Sequence, residues 1–299
     1  MAERLIVVTG KGGVGKSTVA AALALAHAEH GLAVLGIDLD APGGAGRALG
    51  VQLSQPGVIV AAGGSLCWTY VDGVAALGEY LRRKAHLGKI ANAVLGHPAF
   101  DAFVHAAPGA KELMAIGKVR DELLLQHRWD AVVVDAGSSG HALGYLRMPL
   151  AAARSFRRGL VHREAMRVHD LLANSAHTEV RVVTTAEEMP VREAVDTVRC
   201  LRDELGLPLA PLVVNRCISP PPGDLDAALA LLSDLRMTGG NAVASAARRA
   251  RGWARIQERS IARLERGTRL PLQRLPRLCC DAIGRAELRA LGARLLEAP

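Results

Sequence analysis

Gly10, Gly15, Lys16 and Ser17 stand in the spacing Gly-x-x-x-x-Gly-Lys-Ser, the spacing of a loop that wraps phosphate groups in backbone N–H donors. Glycines suit such a loop because the chain must bend tightly around an anion with its amides turned inward. A helix beginning near Lys16 would add the positive end of its dipole. In this pattern the lysine neutralises β- and γ-phosphate charge and the serine hydroxyl ligates Mg²⁺. Gly12, Gly13, Val14, Gly15, Lys16, Ser17 and Thr18 are therefore the expected nucleotide-binding residues, with ATP and Mg²⁺ as the expected cofactors. Asp135 closes the apolar run Val132-Val133-Val134 and is expected to hold the metal with Ser17.

The elements around these residues suit the chemistry. Leu5–Val8 is a short apolar run leading straight into the glycine loop, and the alanine-rich stretch 17–30 follows it, which gives strand, loop and helix in order. Gly31 stops the helix, and the run 33–37 reads as the next buried strand, with Asp38 and Asp40 at its carboxyl end, where ligands bind in parallel sheets. Runs at 131–134, 180–184 and 212–214 repeat the strand pattern with helical sequence between them. The alternation predicts an α/β fold, a mostly parallel sheet covered by helices on both faces. Stretches 74–126 and 148–174 carry little strand signal and are expected to be helical insertions in a single ATPase domain spanning 1–299. Ser219-Pro220-Pro221-Pro222-Gly223 marks a loop ahead of an arginine-rich helical segment at 241–270.

With 299 residues, half of them hydrophobic, the chain can bury a substantial core and is not a disordered protein. Five cysteines, scattered except for Cys279-Cys280, make no disulfide framework. The sequence opens Met1-Ala2-Glu3-Arg4 and enters an apolar strand at once, without the pattern of a signal peptide, and its longest apolar helical stretch, 19–26, is too short to cross a bilayer. A cytoplasmic protein is expected that is not integral to a membrane. The net charge of +8 is uneven, with thirteen arginines from Arg248 to Arg294. Such a run is more often a solvated face than a binding patch for nucleic acid, lipid or an acidic protein.

A second lysine, Lys11, stands inside the loop and gives Lys-Gly-Gly-Val-Gly-Lys-Ser-Thr. This resembles the deviant phosphate-binding motif of the dimeric ATPases that include MinD, ParA, the nitrogenase iron protein, ArsA and the eukaryotic ATPase that delivers tail-anchored proteins. The resemblance implies that Lys11 reaches across a two-fold interface to the partner's nucleotide, stabilising charge as an arginine finger does. Stretch 34–42, Val-Leu-Gly-Ile-Asp-Leu-Asp-Ala-Pro, resembles the first switch of that family and implies that Asp40 orients or deprotonates the attacking water. Lys11, Lys16 and Asp40 are thus the expected catalytic residues.

Further stretches resemble the ArsA and tail-anchored-targeting branch. Asp135-Ala136-Gly137-Ser138-Ser139-Gly140-His141 is similar to its second switch, with Ser138-Ser139 in place of proline-threonine. Ala107-Pro108-Gly109-Ala110-Lys111-Glu112 resembles its Pro-Gly-x-x-Glu segment, and Val213-Val214-Asn215 its adenine-recognising strand end. Glu187 falls where the branch has a nucleotide-contacting glutamate, and 275–278 where it has a purine loop. No Cys-x-x-Cys pair is present for the zinc site of the targeting enzymes. The resemblance implies a dimeric ATPase, a homodimer or one half of a heterodimer with a related subunit, whose ATP cycle drives a conformational switch that handles a protein client or membrane partner. The alternative is a positioning ATPase of the ParA or MinD kind that binds DNA or membrane through its arginine-rich region, with nucleic acid the less favoured partner.

Overall fold

The computed structural model describes residues 3–84, 109–124, 128–219, 227, 230 and 240–297. Its centre is one eight-stranded sheet. In chain order the strands are β1 (Arg4–Gly10), β2 (Val34–Leu39), β3 (Val60–Gly63), β4 (Leu66–Val71), β5 (Ala131–Ser138), β6 (Thr178–Thr185), β7 (Leu212–Cys217) and β8 (Leu272–Pro276). Across the sheet they run β3-β4-β2-β5-β1-β6-β7-β8, all parallel except β3, which pairs antiparallel with β4 at one edge. From β1 the chain moves through β2 to one edge, and from β5 it crosses back over β1 to build the other. Ligands of open α/β sheets bind at the carboxyl ends of strands where the direction of winding reverses, which here is where the glycine loop leaves β1.

Side-chain alternation along β1 shows how the sheet is covered. Leu5 and Val7 join a core that includes Leu35, Ile37, Val132, Val134, Tyr145 and Leu172, whereas Ile6 and Val8 join one that includes Val34, Val133, Leu23, Leu288 and Leu291. A strand with both faces buried must be apolar at every position, and Leu5 to Val8 are at most 1% exposed. One face carries α1 (Lys16–Glu29) and the C-terminal helix Arg285–Leu296; the other carries helices 110–124, 139–155, 160–173 and 188–199. With α2 (Gly44–Ala48) and α3 (Gly73–Lys84) counted, these become α4 (Ala110–Leu124), α5 (Ser139–Ser155), α6 (Leu160–Ala173), α7 (Glu188–Arg199), α8 (Gly240–Thr268) and α9 (Arg285–Leu296). No helix of the described residues is long and apolar enough to cross a membrane.

Three strands, β3, β4 and β8, stand outside the apolar runs picked out above. β4, Leu-Cys-Trp-Thr-Tyr-Val, is rich in β-branched and aromatic residues, and its Trp68 packs into the space left by Gly36 on β2, where an added Cβ would lie 2.0 Å from the indole. β3 and β8 are short edge strands whose runs, Val-Ala-Ala-Gly and Leu-Gln-Arg-Leu-Pro, are too brief or too polar to announce themselves. In the stretch 74–126 the described residues form α3 and α4; in 148–174 they form the end of α5, a break ending at Gly159, and α6. Pro220 to Gly223, named above for a loop, and Ala107-Pro108 of the Pro-Gly segment lie outside the described residues.

Candidate active site

Gly15, with φ 93°, is the residue from which α1 starts, and Gly13 has φ 84°. An L side chain rarely adopts such angles. Close approach adds to the requirement at two positions: a Cβ on Gly10 would lie 2.0 Å from the Val183 carbonyl, and one on Gly15 would lie 2.3 Å from Asn215 Nδ2. Gly12 and Gly13 have no heavy atom within 4 Å of an added Cβ, so the tip of the loop is open. The Lys16 ammonium donates to the Lys11 carbonyl at 2.9 Å across that loop. Burial lowers the Lys16 pKa, opposed by the charges of Asp135 and Glu193.

Ser17, one residue into α1, donates through Oγ to Asp135 Oδ2 at 2.5 Å, and the Gly137 amide donates to Asp135 Oδ1 at 3.4 Å. Register brings these groups together: Asp135 lies opposite Val8 on β1 and Asp38 on β2. A hydroxyl and a carboxylate are the hard oxygen donors that Mg²⁺ selects, so the pair fits the metal. Asp38, in sequence only an acid at a strand end, is 1% exposed and accepts the Gly43 amide at 2.7 Å. Burial pushes its pKa up to about 6, the Gly43 hydrogen bond opposes this, and Asp135 adds to it.

Asp40 is exposed and holds φ 71°, a left-handed backbone that is uncommon outside glycine. Its amide donates to the Val71 carbonyl at 2.9 Å, which ties the turn to β4. Tyr145, a buried residue of α5, lies near its carboxylate, and burial first and then Asp40 raise the pKa of the phenol. Tyr145 had no signal in the sequence, because a tyrosine in an apolar helix reads as core.

Lys11 pairs with Glu193 of α7 at 3.1 Å. The Ser139 hydroxyl, in the second-switch stretch, also donates to Glu193. Ser139 first, then Lys11, hold the Glu193 carboxyl below the usual carboxylate range. Glu193 was likewise missed, since an acid on an amphipathic helix reads as a solvated position.

Asn215 ends the buried part of β7 and donates from Nδ2 to the Val14 carbonyl at 2.9 Å, which fastens the glycine loop to the far half of the sheet. Beside it opens a cavity of about 720 Å³ lined by Thr18, Glu187, Asn215, Trp253, Gln257 and Leu278 among others. Glu187 immediately precedes α7 and is exposed at this cavity. The structure gathers Lys11, Lys16, Ser17 and Asp135 at the glycine loop, with Thr18, Glu187 and Asn215 at the adjoining cavity, while Asp40 stands at the end of β2 against Val71.

Comparison with known proteins gives a consistent picture. The sequence is 33% identical over 224 residues to the ATPase BagA of Mycobacterium tuberculosis, covering 72% of this chain and 65% of that protein. It is 26% identical over 148 residues to the ATPase GET3 of Phaeosphaeria nodorum, 49% of this chain and 45% of that one, and 29% identical over 144 residues to the ATPase get3 of Schizosaccharomyces japonicus, 48% and 43%. The chain thus spans about two thirds or less of the length of the curated relatives it matches. The profile of the anion-transporting ATPase family, ArsA ATPase, matches residues 3–167, from β1 through most of α6 and including the glycine loop, Asp40 and Asp135. That match takes in more than half of the sequence, and the chain belongs to the ArsA ATPase family.

Proposed function

We propose that the chain hydrolyses MgATP to ADP and phosphate, and that it does so as a closed dimer, with itself or with a related subunit. The observation that carries this is the Ser17–Asp135 hydrogen bond beside the buried Lys16 ammonium, at the foot of an open glycine loop. Backbone amides of Gly12 to Ser17 cradle the phosphates, and Lys16 exchanges the Lys11 carbonyl for phosphate oxygens. Ser17 and Asp135 hold Mg²⁺, which when bound offsets the charge of the β- and γ-phosphates. Asp40, with the Tyr145 phenol near it, accepts a hydrogen bond from the attacking water and aligns it. Lys11 breaks from Glu193 and reaches the partner's nucleotide. Glu187 and Asn215 contact the nucleoside. Loss of the γ-phosphate contacts releases the switch loops, and this conformational output acts on a protein client or membrane partner in the cytoplasm.

Calorimetry with ATP, with and without Mg²⁺, tests the binding step, and hydrolysis rates test the residues. Asp40→Asn is expected to lower turnover by about 100-fold or more while nucleotide still binds, and Lys11→Ala by at least as much. Magnesium-independent or absent uptake, or equal turnover in wild type and both variants, refutes the reading. One observation favours a positioning ATPase as a second reading: Arg248, Arg249, Arg255 and Arg259 are exposed along α8. DNA binding that falls steeply with salt would support it.

A further inference from the structure

Trp253 is 61% exposed, although indoles are mostly buried. It does not face bulk solvent alone. It lines the 720 Å³ cavity together with Ile256 and Ile283, themselves 53% and 39% exposed, and with Pro276 and Leu278. The volume is that of a small-molecule site, and its apolar walls carry polar groups from Asn215, Gln257 and Thr185 and charged ones from Glu187, Glu188, Arg216 and Arg277. Thr18 of the phosphate loop lines the same cavity, so a ligand with phosphates at the glycine tip would place its remaining part here.

Helix α8 divides into two parts around Trp253. Beyond it, Ala254, Gln257, Ile261, Leu264 and Thr268 are buried, and the Gln257 side-chain oxygen accepts the Ile218 amide at 3.0 Å, which fastens α8 to the end of β7. Ahead of it, Ala242, Val243, Ala246, Arg248 and Arg249 are exposed and, of the side chains described there, Ala244 alone is buried. Trp253 lies one turn before Gln257 and three residues before Ile256, so the three share a helix face, and that face looks into the cavity.

We infer that Trp253 forms a wall of the nucleobase pocket, and that a base stacked on its indole holds the junction between the anchored and the exposed halves of α8. This rests on the proposal that the chain binds ATP, and it adds a binding residue and a link from the base to the arginine-bearing helix. The indole offers a π-face to any purine, and a helix tied at its base-contacting residue loses freedom in the segment just ahead of it.

The test uses the full chain with MgATP and with magnesium tripolyphosphate, which has the phosphates but no base. Trp68 and Trp129 are buried, 0% and 6% exposed, and neither lines the cavity, so a nucleotide-dependent change in indole emission reports Trp253. The expected result is that ATP quenches emission and slows tryptic cleavage after Arg248 and Arg249, whereas tripolyphosphate binds and does neither. Trp253→Ala should weaken ATP binding about 10-fold, leave tripolyphosphate affinity unchanged and abolish the protection from trypsin; Trp253→Phe should keep most of the ATP affinity. Unchanged ATP affinity in Trp253→Ala overturns the inference. So does an equal loss of tripolyphosphate affinity, or wild-type emission that ignores ATP while calorimetry records its binding. Failure of the wild type to bind either ligand refutes the ATP reading itself, which separates the two failures.

Discussion

At the scale of single residues, the site is a cluster of acids kept apart in function by their surroundings. Asp40 is exposed near one phenol, Asp135 is engaged by a hydroxyl and an amide, and Asp38 is buried next to Asp135 with one oxygen, Oδ1, lacking a hydrogen-bond partner. Burial raises the pKa of this incompletely bonded carboxylate from 3.8 to about 6. A raised acid pKa means that the folded chain keeps a proton the unfolded chain has released. Between pH 4 and 6, stability from this group should therefore fall as pH rises, and should be lost above 6. The shift corresponds to about 3 kcal/mol. Denaturant unfolding of wild type and Asp38→Asn, without nucleotide or metal, checks it: the difference between the two curves should change across that window and level off above it. A constant difference from pH 4 to 7.5 would show that Asp38 is ionised throughout.

At the scale of elements, the phosphate loop is held in place by what lies beneath α1. Helix α9 packs on α1 at Gly292, where an added Cβ would lie 2.6 Å from the Ala22 carbonyl and 2.8 Å from Ala26 Cβ, and it buries Leu288, Leu291 and Leu295 against the sheet. Because the obstacle is helix backbone, a methyl group there cannot be absorbed by a rotamer change. Gly292→Ala is expected to cost about 1–3 kcal/mol in denaturant unfolding and to lower nucleotide affinity by displacing α1. Gly117 has open space around its Cβ position, so Gly117→Ala on α4 serves as a control and should be neutral or mildly stabilising.

At the scale of the whole molecule, the lysine proposed to cross a dimer interface is held by its own chain. Glu193 binds Lys11 and Ser139 together, so one carboxylate links the phosphate loop, the second-switch stretch and α7. A partly exposed ion pair of this kind contributes at most about 1 kcal/mol. That is small enough for a nucleotide-driven closure to overcome and large enough to bias the open chain. Glu193→Gln weakens the hold on Lys11, and in the Asp40→Asn background with MgATP it should lower the concentration at which dimer forms by about two- to five-fold. Sedimentation velocity reads this directly. A shift toward monomer would mean that Glu193 supports the closed form instead.

The sequence by itself determined the sheet's buried centre and the phosphate loop, because both are written in contiguous residues: apolar runs that must be covered on two faces, and glycines at fixed spacing before Lys16 and Ser17. It did not determine the outer strands: β3 and β8 are short edges, and β4 is mixed in polarity, all of them fixed by the pairing of the folded sheet. Nor could it reveal Tyr145 on Asp40, Glu193 on Lys11 or Trp253 beside Asn215. Each of these contacts joins residues far apart in sequence, and each side chain taken alone has an ordinary place, in a core, on a helix surface or in an arginine-rich run. Only the tertiary placement of α5 and α7, which begin at the carboxyl ends of β5 and β6, and of α8, packed on α7, decided which of them face the site.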